Sequence, residues 1–108
     1  MRPIEFQILL SLATGDRHGY AIIQDIQSRA EDAPEVETGT LYRALQRLVE
    51  QELVRPAEPR GRSQTDRDER RRYYAITPAG RRAATTEARR MASLVDSARA
   101  ARLIPGGT

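Results

Sequence analysis

Behind a proline at position 3, apolar side chains return at Ile4, Ile8, Leu9 and Leu12, and Gly15 closes the run. Proline suits the first position of a helix, where its missing N–H is not needed. The spacing is one helical face, so a first helix is predicted over 3–13. Gly19 opens a second stretch, with Tyr20, Ile23, Ile26 and Ala30 in helical register. It predicts a helix over about 19–30 with Tyr20 in the core, broken by Glu31-Asp32-Ala33-Pro34-Glu35. Thr38 has the chemistry of an N-cap. Leu41, Leu45, Leu48 and Val49 then follow at i, i+4, i+7 and i+8, predicting a third helix over about 39–51.

The period changes after that. Leu53-Val54-Arg55 reads as a short strand ended by Pro56, and Arg72-Tyr73-Tyr74-Ala75-Ile76 as a second one. Residues 56–71 between them are polar and rich in charge, so the two strands make a hairpin with a long, basic tip. Thr77-Pro78 is a second N-cap and first-position pair. It starts a final helix reaching about residue 103, where Pro105-Gly106-Gly107 ends it. Within it Ala84, Ala88, Met91, Val95 and Ala98 form a narrow seam of 3.5-residue period, with Leu94 beside it. A helix of about 26 residues extends ~39 Å, more than a small head covers, so the seam needs a partner. A second copy of the chain is the natural one.

The expected fold is therefore mainly α with a small β-hairpin: a winged helix-turn-helix over 1–77, then a C-terminal dimerisation helix and tail over 78–108. In that order of elements the third helix is the recognition helix. Opposite its apolar face stand Gly39, Arg43, Gln46 and Arg47, with Thr40 and Tyr42 on the flanks and Thr38 at its start. A helix fits the major groove of B-DNA, and Thr, Gln and Arg suit base edges there. Periodicity alone leaves two readings open: a DNA-reading face, or the polar exterior of an ordinary three-helix domain.

Charge is unevenly placed, with the basic residues concentrated in the second half of the chain. The 108-residue chain carries a net charge of +3, and all 18 basic residues are Arg. The Arg-over-Lys preference is what a GC-rich genome produces, and nothing follows from it. Residues 53–75 hold seven Arg against four acids, and residues 31–52 two Arg against six acids. Arg60, Arg62, Arg67, Arg70, Arg71 and Arg72 fall in the hairpin, where arginines contact phosphates or enter a narrow minor groove. Arg70 to Arg72 are the expected contacts, while the tip from Arg60 to Arg67 is expected to order only on DNA. Against DNA stand Glu31, Asp32, Glu35 and Glu37, which must point away from phosphates.

Three blocks resemble the PadR family of bacterial transcriptional regulators: His18-Gly19-Tyr20-Ala21-Ile22, Thr38 through Leu48, and Arg72-Tyr73-Tyr74-Ala75-Ile76-Thr77-Pro78-Ala79-Gly80. They fall in the family's order and cover about residues 4–82. The resemblance implies a winged helix with C-terminal dimerisation helices. It also implies a homodimer on palindromic double-stranded DNA, usually a repressor relieved by a small-molecule effector or another signal. The chain departs from the family pattern at Arg43, where Pro is usual, and at Glu52, where Gly is usual. Arg43 adds a positive group on the groove side, so sequence preference need not follow relatives. A Gly at 52 would suit a left-handed helix stop. The short C-terminal region resembles the branch with a single dimerisation helix.

Other chemistry is sparse. With no Cys, disulfides, thiolate metal sites and cysteine nucleophiles are excluded. His18 is the only histidine and cannot supply a metal cage or a triad by itself; packing or capping near the second helix is its expected role. Tyr74 is expected in the core. Tyr42 is divided, its ring packed and its hydroxyl within reach of a phosphate. No phosphate loop, metal-spaced cluster or nucleophile motif occurs, so neither an enzyme nor a cofactor is expected. No apolar run approaches the ~20 residues of a membrane span and Met1-Arg2-Pro3 opens no signal peptide, so the expected location is cytoplasmic. The remaining alternative is a winged-helix protein-interaction module that does not touch DNA. Such a module would carry apolar or acidic groups in place of Thr40, Arg43, Gln46 and Arg47.

Overall fold

Helix α1 spans Pro3–Ala13, with its proline in the first turn. The computed structural model describes residues 1–29, 35–57 and 72–105. After α1 come β1 (Arg17–His18), α2 (Gly19–Ser28), α3 (Thr38–Glu50), β2 (Val54–Ala57), β3 (Tyr73–Ile76) and α4 (Pro78–Ala100). Ile8, Leu9 and Leu12 of α1 meet Ile22, Ile23 and Ile26 of α2, and Leu41, Ala44, Leu45 and Leu48 of α3. Val54 and Tyr74 close this core from the sheet. Each fully buried Leu or Ile contributes roughly 1.5–3 kcal/mol, so the three faces together hold the head.

Among the described residues the sheet has three antiparallel strands in the order β1-β3-β2, one more than the hairpin expected from sequence. The extra strand pairs Arg17 with Tyr74 and His18 with Tyr73. Two residues are too few for any alternation to announce them. Pro56 does not end β2 but lies inside it, paired with Tyr74. Among the described residues β2 is an edge strand that pairs on one side only, so proline's missing N–H breaks no ladder there. The hairpin connection at 58–71, with Arg60, Arg62, Arg67, Arg70 and Arg71, lies outside the described residues, as do Ala30 to Pro34.

His18 both caps and packs. Its Nδ1 accepts the Ala21 N–H at 3.2 Å, and its ring meets Tyr73 edge-on at 5.4 Å. Tyr20, expected in the core, is instead 63% exposed. Ile22, Ile23 and Ile26 define the buried face of α2, and Tyr20 lies on the far side of it. The α3 cap also differs from expectation: Glu37 is the N-cap, without a side-chain cap bond, and Thr38 is the first helical residue.

Helix α3 ends in a left-handed residue, Glu52, at φ 63°. The Leu53 N–H donates to the Leu48 carbonyl and the Glu52 N–H to that of Val49, both at 2.9 Å, the paired bonds of a Schellman stop. Left-handed backbone costs an L-residue roughly 1–2 kcal/mol, partly offset in a glycine by its greater loss of freedom on folding. Glu52→Gly is therefore expected to stabilise the fold by about 1 kcal/mol, raising Tm by roughly 4–8 °C for a domain of this size. A lower Tm in thermal unfolding would show that the glutamate side chain contributes something its backbone does not reveal.

The same stop anchors α4. Thr77 Oγ1 donates to the Glu52 carbonyl at 2.7 Å and accepts the Gly80 N–H at 2.9 Å. The Thr77 N–H donates to the Leu53 carbonyl at 3.1 Å. Gly80 is needed for this approach, since a Cβ there would overlap the Leu53 carbonyl oxygen. Arg81 Nη2 reaches the Ala13 carbonyl at 3.3 Å, and Arg17 Nε the Ser11 carbonyl at 3.2 Å. Two cations thus complement the negative end of α1.

Candidate nucleic-acid interface

On α3 the buried residues Leu41, Ala44, Leu45 and Leu48 fix which side looks outward. Thr38, Gly39, Tyr42, Arg43 and Gln46 are exposed, and Thr40 and Arg47 are half-buried on one flank. All seven residues named from the sequence therefore lie together on the outer side of one 13-residue helix. The first backbone bond of α3 runs from the Leu41 N–H to the Glu37 carbonyl at 3.0 Å. The N–H groups of the first turn keep no intrahelical partner and lie at the positive end of the helix dipole.

Arg43 curls back over that first turn. Its Nη2 lies 3.5 Å from Thr40 Oγ1, and a Cβ on Gly39 would sit 3.3 Å from its Nη1. The family-atypical arginine thus stands next to the open helix end. On the other flank Tyr42 lies over Gly19, where a Cβ would overlap the phenol ring and hydroxyl. Its ring packs while the residue stays 42% exposed. Tyr20 adds a second exposed phenol from α2. Sequence reasoning missed it by assigning it to the core, although its offset from the Ile22, Ile23 and Ile26 face was available as a signal.

Arg47 differs from the other candidates. Its Nε donates to Glu5 Oε2 of α1 at 2.8 Å, a pairing that spacing along the chain does not reveal. Glu5 Oε1 accepts the Arg2 N–H at 3.2 Å. Burial favours the neutral acid, but the hydrogen bonds from Arg47 and from the Arg2 N–H, with the two guanidinium charges, outweigh it. The Glu5 carboxyl is held below its ordinary value.

At the hairpin, Arg72 is exposed just before β3, and Arg55 is exposed on β2. Glu35 and Glu37 are exposed at the approach to α3. Among the described residues no group of three or more His, Cys, Asp or Glu is arranged to hold a metal ion. No helix among them is long and apolar enough to cross a membrane.

Helix α4 has 23 residues. Its start packs on the head, with Ala84 against the core of the same chain. Further along, Met91 and Ala98 are half-buried and Ala88 is exposed. Leu94 is 55% and Val95 39% exposed. Beyond the helix Leu103 and Ile104 are exposed too, two apolar residues the seam read from sequence left out.

The profile of the Transcriptional regulator PadR-like family matches residues 8–86. In sequence the chain is 40% identical over 87 residues to an uncharacterised 37.1 kDa protein from a transposon of Streptomyces fradiae. That match takes in 81% of this chain and 22% of the relative, so the chain spans only a minor part of that protein's length. In structure the chain is similar to a transcriptional regulator from Clostridium thermocellum, with a TM-score of 0.71 and 24% identity over 89% of this chain and 86% of the other. It is equally similar to a PadR family transcription regulator from Clostridium difficile, with a TM-score of 0.71 and 23% identity over 89% and 94%. At such identity these two likenesses establish a shared fold. The profile match is of another kind: it runs from within α1, through α3 and the sheet, into α4, and the chain belongs to the PadR-like family of transcriptional regulators.

Proposed function

We propose that the chain is a sequence-specific DNA-binding repressor that works in the cytoplasm as a homodimer on a palindromic operator. The observation that carries this reading is the outer side of α3: an uncapped helix start beside Thr38, Gly39, Thr40, Arg43 and Gln46, all clear of the core. Arg43 reads base edges, Tyr42 and the first-turn N–H groups hold phosphates, and Arg72 with the hairpin arginines Arg60, Arg62, Arg67, Arg70 and Arg71 grips the flanking backbone. Two copies pair through α4 by Met91, Leu94, Val95 and Ala98, with Ala88 and the end of Ala84's row alongside. A small-molecule effector that alters this pairing would relieve repression, as is usual in the family.

Selection of bound DNA from a random pool at fixed salt tests the reading. The expected product is a palindrome whose half-sites lie one helical turn, ~34–36 Å, or a multiple of it apart. Recovery of no enriched sequence, with a folded dimer in hand, would favour the protein-interaction alternative. Within the site, Arg43→Ala is expected to lose ~1–3 kcal/mol of discrimination at one base position. Arg72→Ala is expected to weaken cognate and scrambled DNA alike and to lower the salt dependence. Identical behaviour of the two variants on both DNAs would remove the division between reader and positioner.

A further inference from the structure

Arg47 is the one arginine of the α3 face whose guanidinium is held by a carboxylate from another helix, and that carboxylate is nearly inaccessible. The Glu5 side chain is 9% exposed and that of Arg47 33%. A carboxylate taken out of water is costly unless paired and hydrogen-bonded. Glu5 meets that condition with both oxygens, Oε1 to the Arg2 N–H and Oε2 to Arg47 Nε. The bond uses Nε alone, and no group among the described residues accepts from Nη1 or Nη2 of Arg47. A guanidinium is planar and rigid, so fixing it by Nε also fixes the direction of its Nη1–Nη2 end. That end is the fork that matches two oxygens of a phosphate. The flank it occupies is shared with Thr40, next to the exposed row of Gly39, Arg43 and Gln46.

We propose that Glu5 is a positioning residue for DNA binding: it holds Arg47 by Nε and presents the Nη1–Nη2 fork to one backbone phosphate at the edge of the recognition helix. The inference rests on α3 being the DNA-reading helix. It assigns Arg47 to the phosphate backbone and not to the bases, and it gives an acidic residue of α1 a favourable part in binding a polyanion. The side chain's freedom is lost in the fold, before DNA arrives, so the contact forms without that cost.

The simple electrostatic expectation runs the other way, which makes the test sharp. Removing a negative charge next to a DNA-binding face should strengthen binding if charge alone matters. The measurement is the affinity of the wild-type protein, Glu5→Gln, Arg47→Lys, Arg47→Ala and Glu5→Gln/Arg47→Ala for the selected DNA at several salt concentrations, with melting followed for each. Glutamine keeps the size of Glu5 but has one acceptor oxygen where two are used. Glu5→Gln and Arg47→Lys are each expected to bind about tenfold more weakly per half-site, the loss of one charge-assisted hydrogen-bonded contact. Arg47→Ala should lower the salt slope by ~0.9 per protomer. The double variant should bind no more weakly than Arg47→Ala alone, because Glu5 acts only through Arg47. Binding by Glu5→Gln at or above the wild-type level overturns the proposal, and so do losses that multiply in the double variant. If Glu5→Gln melts too low to measure, Arg47→Lys decides: charge is kept and the fork is lost, so wild-type affinity overturns the proposal. Failure of the underlying reading looks different, since the wild-type protein would then enrich no DNA at all.

Discussion

Raising the salt concentration from 50 to 200 mM is expected to weaken operator binding by roughly 10³–10⁵. Each arginine–phosphate contact displaces condensed counterions, about 0.9 per contact on B-DNA, and 6–10 contacts for a dimer give that range. The contacts are drawn from the first turn of α3, Arg47, Arg72 and the hairpin arginines of both copies. Arg72 is exposed and Arg47 a third exposed, so contacts made by these groups are open to screening by salt. A plot of log affinity against log salt measures the number of contacts directly. A specific complex that is indifferent to salt would overturn the assignment of the hairpin and the α3 flank to phosphates.

The second large effect is expected at the far end of the molecule. Leu94→Glu combined with Val95→Glu should give a monomer whose head melts as before and whose operator affinity falls by on the order of 10²–10⁴. That range is what is lost when two linked binding modules are separated. Leu94 and Val95 are exposed in the single chain, so the change does not touch the head's own core. In a twofold pair each carboxylate would meet its own copy in an apolar seam, where like charges are desolvated together. Sedimentation gives the oligomeric state and a titration on the selected operator gives the affinity. A wild-type protein that sediments as a monomer at micromolar concentration would sink the idea, as would full operator binding by the double variant.

The elements that carry their own punctuation were legible in the sequence. Pro3 and the Thr77-Pro78 pair mark helix starts through local backbone chemistry, and the observed helices begin at Pro3 and Pro78. The i, i+4, i+7 row of α3 is also local, and it correctly separated the core residues from the outer ones. What the sequence hid depends on partners distant along the chain. Strand β1 exists because β3 offers an unpaired edge to Arg17 and His18. Pro56 is tolerated because β2 lies at the edge of the sheet among the described residues. Spacing places Tyr20 in the core because an aromatic at the start of a run reads with the run, but the three isoleucines Ile22, Ile23 and Ile26 set the buried face. The Glu5–Arg47 pair joins positions 42 residues apart, and no spacing rule reaches that far. At Glu52 the departure from the family pattern did carry information, since the position keeps its left-handed backbone without the glycine.

The joint of Thr77 and Gly80 with the Glu52–Leu53 stop links α3 and α4 as the two arms of one lever. Hydrogen bonds tie the start of α4 to the end of α3, and Gly80 lies so close to the Leu53 carbonyl that a Cβ there would overlap it. Helix α4 is ~35 Å long at 1.5 Å per residue. In a pair joined near its far end, rocking each lever by ~5° sweeps the opposite end through ~3 Å, close to the ~3.4 Å rise of one base pair. If two copies pair through α4 as proposed, a small change in how those helices lie against each other would be geared into a shift of base-pair size at each α3.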